Sequence, residues 1–158
     1  MKSGLATRHA PTSARVRARD MDTHLGELVH AAAAEVHAEL GGGLSECVYQ
    51  AALAVALRQR GCVVETEMVV PIVFKSTYVG FVRPDLVVNK QLVLEIKAVS
   101  KIAESHLVQL RAYLRWLSPP PPSHAKVQGK ELGALINFGA DGVEVRAMMR
   151  SVPELMSE

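Results

Sequence analysis

The stretch RPDLVVNKQLVLEIK, residues 83–97, constrains the fold more than any other part of the chain. Two runs rich in Val, Leu and Ile flank the polar tripeptide Asn89-Lys90-Gln91, which is the pattern of two buried strands joined by a tight turn. Asp85, Glu95 and Lys97 interrupt those runs with charge. A three-residue loop sets Val88 opposite Leu92, Val87 opposite Val93 and Asp85 opposite Glu95. Period-two alternation then gathers Asp85, Val87, Val93, Glu95 and Lys97 on one face, and Leu86, Val88, Leu92, Leu94 and Ile96 on the other. A two-residue loop sets Asp85 opposite Leu94 and splits the carboxylates between faces. Both loops suit the sequence, and only the first gives the three charges a common face.

Two carboxylates directly across a strand pair repel each other, and partial burial adds a desolvation cost. A divalent cation removes the conflict. Hard oxygen donors with room for water suit Mg²⁺ or Mn²⁺. Lys97, two residues beyond Glu95, points to the same side. It can orient or help deprotonate a water, or stabilise negative charge on a phosphate. The competing reading is an ordinary ion pair on a wet sheet face.

The rest of the chain supplies the scaffold. Leu25, Leu28, Val29, Ala32, Val36 and Leu40 form a helical stripe over residues 21–40, with Asp22 or Thr23 placed to cap it. Gly41-Gly42-Gly43 ends that helix and permits a sharp reversal. A second helix is expected over residues 44–60, closed by Gly61. Strands follow over 62–74, 77–88 and 92–99, and Pro71 marks an edge or a bulge in the first. A third helix is expected over 103–117. SPPPPSHAKVQGK, residues 118–130, is a surface loop of polyproline character, since its prolines fit neither helix nor sheet. LGALINFG and VEVRAMM then read as a closing hairpin around Asp141-Gly142. The order α-α-β-β-β-α-β-β is an α/β chain, a mixed sheet with helices against it. The 158 residues suffice for one core, and we place the domain at 21–150 with a short tail over 151–158. Cys47 and Cys62 read as ordinary thiols, and His30 and His37 as side chains of a solvated or packed helix face rather than a metal pair.

Two further clusters carry chemistry. In GGGLSECVY, Glu46 falls in the first turn of the second helix, where the helix dipole favours a carboxylate, and Tyr49 lies on the same side. On the third helix, Gln109 and Tyr113 are four apart and share a face. An amide and a phenol there can hydrogen-bond a phosphate, a base or the lysine.

Taken in order, these residues resemble a known family. GGGLSECVY looks like the signature of the GxxExxY family, with Gly43, Glu46 and Tyr49 in the named positions. Pro84-Asp85 followed by Glu95-Ile96-Lys97 resembles the motif of the PD-(D/E)XK nuclease superfamily. Gln109 with Tyr113 resembles the Q-x-x-x-Y element of RecB-type exonucleases, and LGALINFG is similar to the last strands of GxxExxY proteins. The likeness covers about residues 25–147, and the Pro-rich loop departs from it as an insertion. It implies a restriction-endonuclease-like core, a central mixed β-sheet flanked by α-helices, that cleaves phosphodiester bonds with Mg²⁺ or Mn²⁺. Carried over by position, Asp85, Glu95 and Glu46 bind metal with the Ile96 backbone carbonyl, and Lys97 assists the attacking water. Gln109 and Tyr113 contact the substrate strand or steady the site, and Tyr49 contacts the substrate.

The resemblance thus implies a DNA nuclease, exonuclease-like by its third helix, with a place in repair or recombination. The alternative is a nuclease-fold module that binds nucleic acid or protein without turnover. Charge is unevenly spread. Residues 1–20 hold five basic side chains and one acid, which leaves the remainder of the +2 chain net acidic. A nucleic acid would therefore be held by a local patch or through a metal. The acid-free start, rich in Arg, Ser, Thr and Ala, has the composition of an organelle import signal or of a basic segment outside the fold. The first reading implies a mitochondrion or chloroplast, the second cytoplasm or nucleus. No apolar run reaches the ~20 residues of a membrane span.

Overall fold

The computed structural model describes residues 23–117 and 132–149. The basic start, the expected Asp22 cap, the Pro-rich loop and the tail lie outside these residues. Helices α1 (Thr23–Leu40) and α2 (Glu46–Gln59) are followed by β1 (Val64–Thr66), β2 (Val70–Phe74), β3 (Thr77–Val82), β4 (Leu86–Val88) and β5 (Leu92–Lys97). Helix α3 (Glu104–Leu117), β6 (Leu132–Phe138) and β7 (Val143–Met149) complete the order.

Five strands form one sheet in the order β1-β4-β5-β6-β7, while β2 and β3 pair separately as a two-stranded hairpin. The sheet is mixed. β5 and β6 run parallel and the other neighbours antiparallel. The parallel pair requires a crossover, and α3 provides it.

Both faces of the sheet are covered, which explains strands that read as continuous apolar runs. Leu86, Val88, Leu92, Leu94 and Ile96 join the larger core cluster with residues of α1 and α2. Val93 and Leu135 pack on the other face against Ile102 and, on α3, Leu110, Tyr113 and Leu114. The sheet is therefore the middle of a three-layer α/β fold of the restriction-endonuclease-like type.

Two expected strands are each divided. The 62–74 run breaks at Glu67, which adopts φ 51° and gives its N–H to the Asp85 carbonyl. β1 thereby stays with β4, and β2 turns away. The 77–88 run breaks at Arg83-Pro84, where proline brings no N–H for a ladder. The order is accordingly α-α-β-β-β-β-β-α-β-β. Pro71 sits in the hairpin, which pairs with no other strand among the described residues, and the register shifts between Ile72 and Val73. A bulge thus lies one residue beyond Pro71.

Helix ends follow local chemistry. Gly61, at φ 83°, ends α2: its N–H bonds to the Arg58 carbonyl and that of Cys62 to Leu57. That pair of bonds is a Schellman motif. The turn between α1 and α2 uses its three glycines differently. Gly41 and Gly43 have φ 73° and 91° with open space around them, whereas a Cβ on Gly42 would lie 2.6 Å from the Ala140 carbonyl oxygen. The triglycine turn therefore seats against the β6–β7 turn, and His37 Nε2 bonds to the Gly139 carbonyl alongside it.

This geometry orders two substitutions. Gly43→Ala meets only the cost of a left-handed backbone, roughly 1–2 kcal/mol. Gly42→Ala drives a side chain into backbone atoms and shifts one turn off the other, so it costs more. Urea unfolding of both variants checks the order, and equal midpoints would refute it.

Candidate active site

The site forms where β4 begins and β5 runs on beyond it. The β4–β5 register pairs Val88 with Leu92, Val87 with Val93 and Leu86 with Leu94. This is the three-residue loop, with Asn89 and Lys90 both at positive φ. Asp85 precedes the last paired residue, so its backbone no longer takes part in the β4–β5 ladder. Its carboxylate does so instead: Asp85 Oδ2 accepts the Ile96 N–H at 2.7 Å. The N–H and carbonyl of one strand residue point to the same edge. The Ile96 carbonyl is therefore directed to the Asp85 side.

Glu95 lies on the α3 face of β5, and is only 3 % exposed. Lys97 Nζ donates to Glu95 Oε1 at 2.8 Å. Glu95 Oε2 is buried and has no hydrogen-bond partner among the described residues. An unpartnered buried carboxylate oxygen is costly. Burial pushes the Glu95 carboxyl up to about 7, against the relief of the Lys97 hydrogen bond and with a further rise from the Asp85 charge. Burial also raises Asp85, partly offset by the Ile96 amide and the Lys97 charge. Lys97 goes the other way. Burial pulls it down, but the Glu95 hydrogen bond and the charges of Glu95, Glu46 and Asp85 together hold it above its ordinary value.

Glu46 opens α2 as expected, with Ser45 before it, and is about half exposed. Its carboxylate stands 4.0 Å from Lys97 Nζ. The sequence places Glu46, Asp85 and Glu95 together as ligands of one cation. Among the described residues no three His, Cys, Asp or Glu side chains converge closely enough to hold a metal ion. Lys97 contacts both Glu95 and Glu46. Asp85, Glu95 and the Ile96 carbonyl would be the donors nearest to hand for such an ion. These fit a hard divalent cation. The orphaned Glu95 oxygen is unsatisfied without one, and Mg²⁺ usually takes one or two carboxylates and keeps several waters.

Gln109 and Tyr113 do share a face of α3. Gln109 Nε2 donates to the Tyr113 hydroxyl at 2.7 Å. The phenol is raised by burial and then by the Glu95 charge, so it sits within the field of the site. Tyr49 has a different task from the substrate contact expected of it. It is fully buried, stacks on Phe138 with ring centroids 4.4 Å apart, and its hydroxyl donates to the Gly41 carbonyl and accepts the Leu44 N–H. It fastens the triglycine turn and so places the start of α2, with Glu46, beside Lys97. A ring with no exposed surface does not touch a substrate strand.

A profile described as the PD-(D/E)XK nuclease superfamily matches residues 23–150. The chain belongs to the PD-(D/E)XK nuclease superfamily. No curated protein and no solved structure matches it. A nuclease superfamily implies a nucleic-acid substrate, and its members generally use divalent metals.

Two positioning residues of this nuclease escaped the sequence reading. Asn137 is buried in β6, pairs in register with Lys97, and takes the Val99 N–H while donating to the Val99 carbonyl, each at 2.9 Å. It holds the chain just beyond Lys97. The signal was a lone amide inside LGALINFG, an otherwise apolar strand. Gln50, one turn beyond Glu46, donates to the Asp85 carbonyl at 3.2 Å and ties α2 to the motif. Nothing in its helix context marks it.

Two outcomes follow from these contacts. Between its ordinary 4.5 and about 7 the folded protein binds more protons at Glu95 than the unfolded chain does. Stability therefore falls as pH rises through that window, by on the order of 3 kcal/mol. Asp85 adds in the same direction, while Lys97 titrates far above the window. Melting in chelator from pH 5 to 8 should show a falling midpoint, and Glu95→Gln should flatten most of it. Asn137→Leu leaves the part-buried N–H and carbonyl of Val99 without their side-chain partner and should cost roughly 1–3 kcal/mol in denaturant unfolding.

Proposed function

We propose that the protein is a Mg²⁺- or Mn²⁺-dependent deoxyribonuclease that hydrolyses phosphodiester bonds in DNA, acts like an exonuclease, and serves DNA repair or recombination. The observation that carries the metal-dependent chemistry is the buried, unpartnered Glu95 oxygen, which shares the site with Asp85 and the protonated Lys97. Two desolvated carboxylates without a cation are a liability to the fold, and a divalent ion bound by a phosphate substrate turns them into a use.

Asp85, Glu95 and the Ile96 carbonyl would hold the ion, which when bound supplies Lewis acidity at the scissile phosphate and an acidified water. The chain's own residues do the rest. Asp85 is fixed by the Ile96 amide, so its remaining oxygen is aimed before any ligand arrives. Lys97 is held protonated by its carboxylate neighbours, which makes it a donor to water and to phosphate oxygens rather than a general base. Glu46, half exposed and 4.0 Å from Lys97 Nζ, would orient that ammonium and reach the site through water. Gln109 and Tyr113 form a pair on the α3 side that can meet the phosphate next to the cleaved one. The exonuclease preference rests on the likeness of that pair to the RecB-type element, and the choice of DNA rests on the same likeness.

End-labelled single- and double-stranded DNA, incubated with Mg²⁺ or Mn²⁺, tests the reading. Cleavage should require the metal, and Asp85→Ala, Glu95→Ala and Lys97→Ala should each lose roughly 100-fold or more. Glu46→Ala should lose less. Products that shorten stepwise from one end would support the exonuclease form. Metal-dependent cleavage by Glu95→Ala at the parent rate would sink the assignment.

A further inference from the structure

The hairpin β2–β3 is the least covered part of the described fold. Val69, Val73, Phe74, Tyr78, Val79 and Phe81 are between 48 and 63 % exposed. An isolated two-stranded hairpin is marginal on its own. So many exposed apolar side chains on one hairpin mark a binding surface. Its inner side is accounted for. Val82 packs against the α3-side cluster, and Val70 and Ile72 are half-buried with it on that face. The outer face is not accounted for.

The bulge sets the composition of that outer face. Pro71 pairs with Phe81 and Val73 with Tyr78, which leaves Val79 as the extra residue on β3. Without it, the odd spacing of Tyr78 and Phe81 would send the two rings to opposite faces. With it, both stand on the outer face, two ladder positions apart. Two positions along a strand are roughly 7 Å, about twice the thickness of a stacked base.

Three further observations select the occupant. Residues 68–84 contain Lys75 and Arg83 and no acid, within a chain whose body is net acidic. Lys75 sits at the tip over the Phe74 ring, 5.5 Å from its centroid. β3 also runs into Asp85 across Arg83-Pro84 alone. Phe81 is four residues from that carboxylate, hence within roughly 14 Å of it along the chain. A cationic, aromatic arm that begins beside a phosphodiester-cleaving site is suited to unpaired bases, which every aromatic ring can stack.

We propose that the outer face of this hairpin binds single-stranded nucleic acid, with Tyr78 and Phe81 stacking on bases next to the scissile phosphate, so that the nuclease takes single strands or splayed ends. The inference rests on the nuclease reading, and base binding can be measured apart from cleavage. The probes are a labelled single-stranded deoxyoligonucleotide, the same strand with abasic residues, and a blunt duplex. Each is titrated into the full chain in chelator and followed by anisotropy. The parent should bind the single strand roughly 10-fold or more tighter than either of the others. Tyr78→Ala with Phe81→Ala should lose at least that factor on the single strand and bind the abasic probe as the parent does. Both positions are exposed, so melting should be unchanged, and Val55→Ala on α2, 53 % exposed, serves as an exposed control away from the hairpin.

Equal affinity of parent and double variant for the single strand would overturn the proposal. So would sedimentation showing a parent dimer and a monomeric double variant with DNA binding intact, since the face would then join two copies. Base-dependent binding by a parent that never cleaves would sustain the hairpin's role and discard the nuclease reading. Cleavage by a parent whose binding ignores bases would do the reverse.

Discussion

One hydrogen bond organises the site. Just before β4 begins, the Ile96 amide meets no partner strand on that side among the described residues and turns to Asp85 Oδ2. The carboxylate is thereby a structural acceptor and a chemical group at once. It ends the ladder, keeps β5 extended as far as Lys97, and leaves the Ile96 carbonyl facing the same space. Everything else in the site is arranged around that end. α2 is tied to the Asp85 carbonyl by Gln50, β1 is tied to it by the Glu67 amide, and β6 holds the chain beyond Lys97 through Asn137.

The second constraint is electrostatic. Burying Glu95 with only one oxygen partnered opposes folding, and Lys97 relieves part of that opposition. The lysine cannot serve Glu95, Glu46 and a cation equally. Glu95 takes the short contact with the ammonium at 2.8 Å, and Glu46 the longer one at 4.0 Å. Local strain of this kind is common where a protein keeps a binding function that its fold alone would not favour.

The β4–β5 hairpin was legible in the sequence because period-two alternation flips every side chain when register slips by one, so few registers survive the charges. α1, α2, α3 and the closing β6–β7 pair were legible from apolar spacing and from their glycines. The division of 62–74 was not, because it depends on Glu67 taking a left-handed backbone, and no glycine or asparagine announces that. Arg83-Pro84 did carry a signal, the missing N–H, but two strands with the same composition on either side concealed it. Of the candidate site residues, Asp85, Glu95, Lys97 and Glu46 are brought to one end of the sheet, and Gln109 and Tyr113 to its α3 side. Tyr49 was misread because a helix-face argument places a side chain by angle and says nothing of depth. Asn137 and Gln50 act through backbone groups of distant segments, which spacing along the chain does not encode.

The parallel register of β5 and β6 has a practical consequence. Leu132 pairs with Leu92 and Asn137 with Lys97, so the chain enters β6 at the rim opposite the carboxylates. Five strand steps, roughly 17 Å, separate that entry from Lys97. A fluorophore attached at that rim, beside Leu132, would therefore report on the enzyme while leaving its working end free.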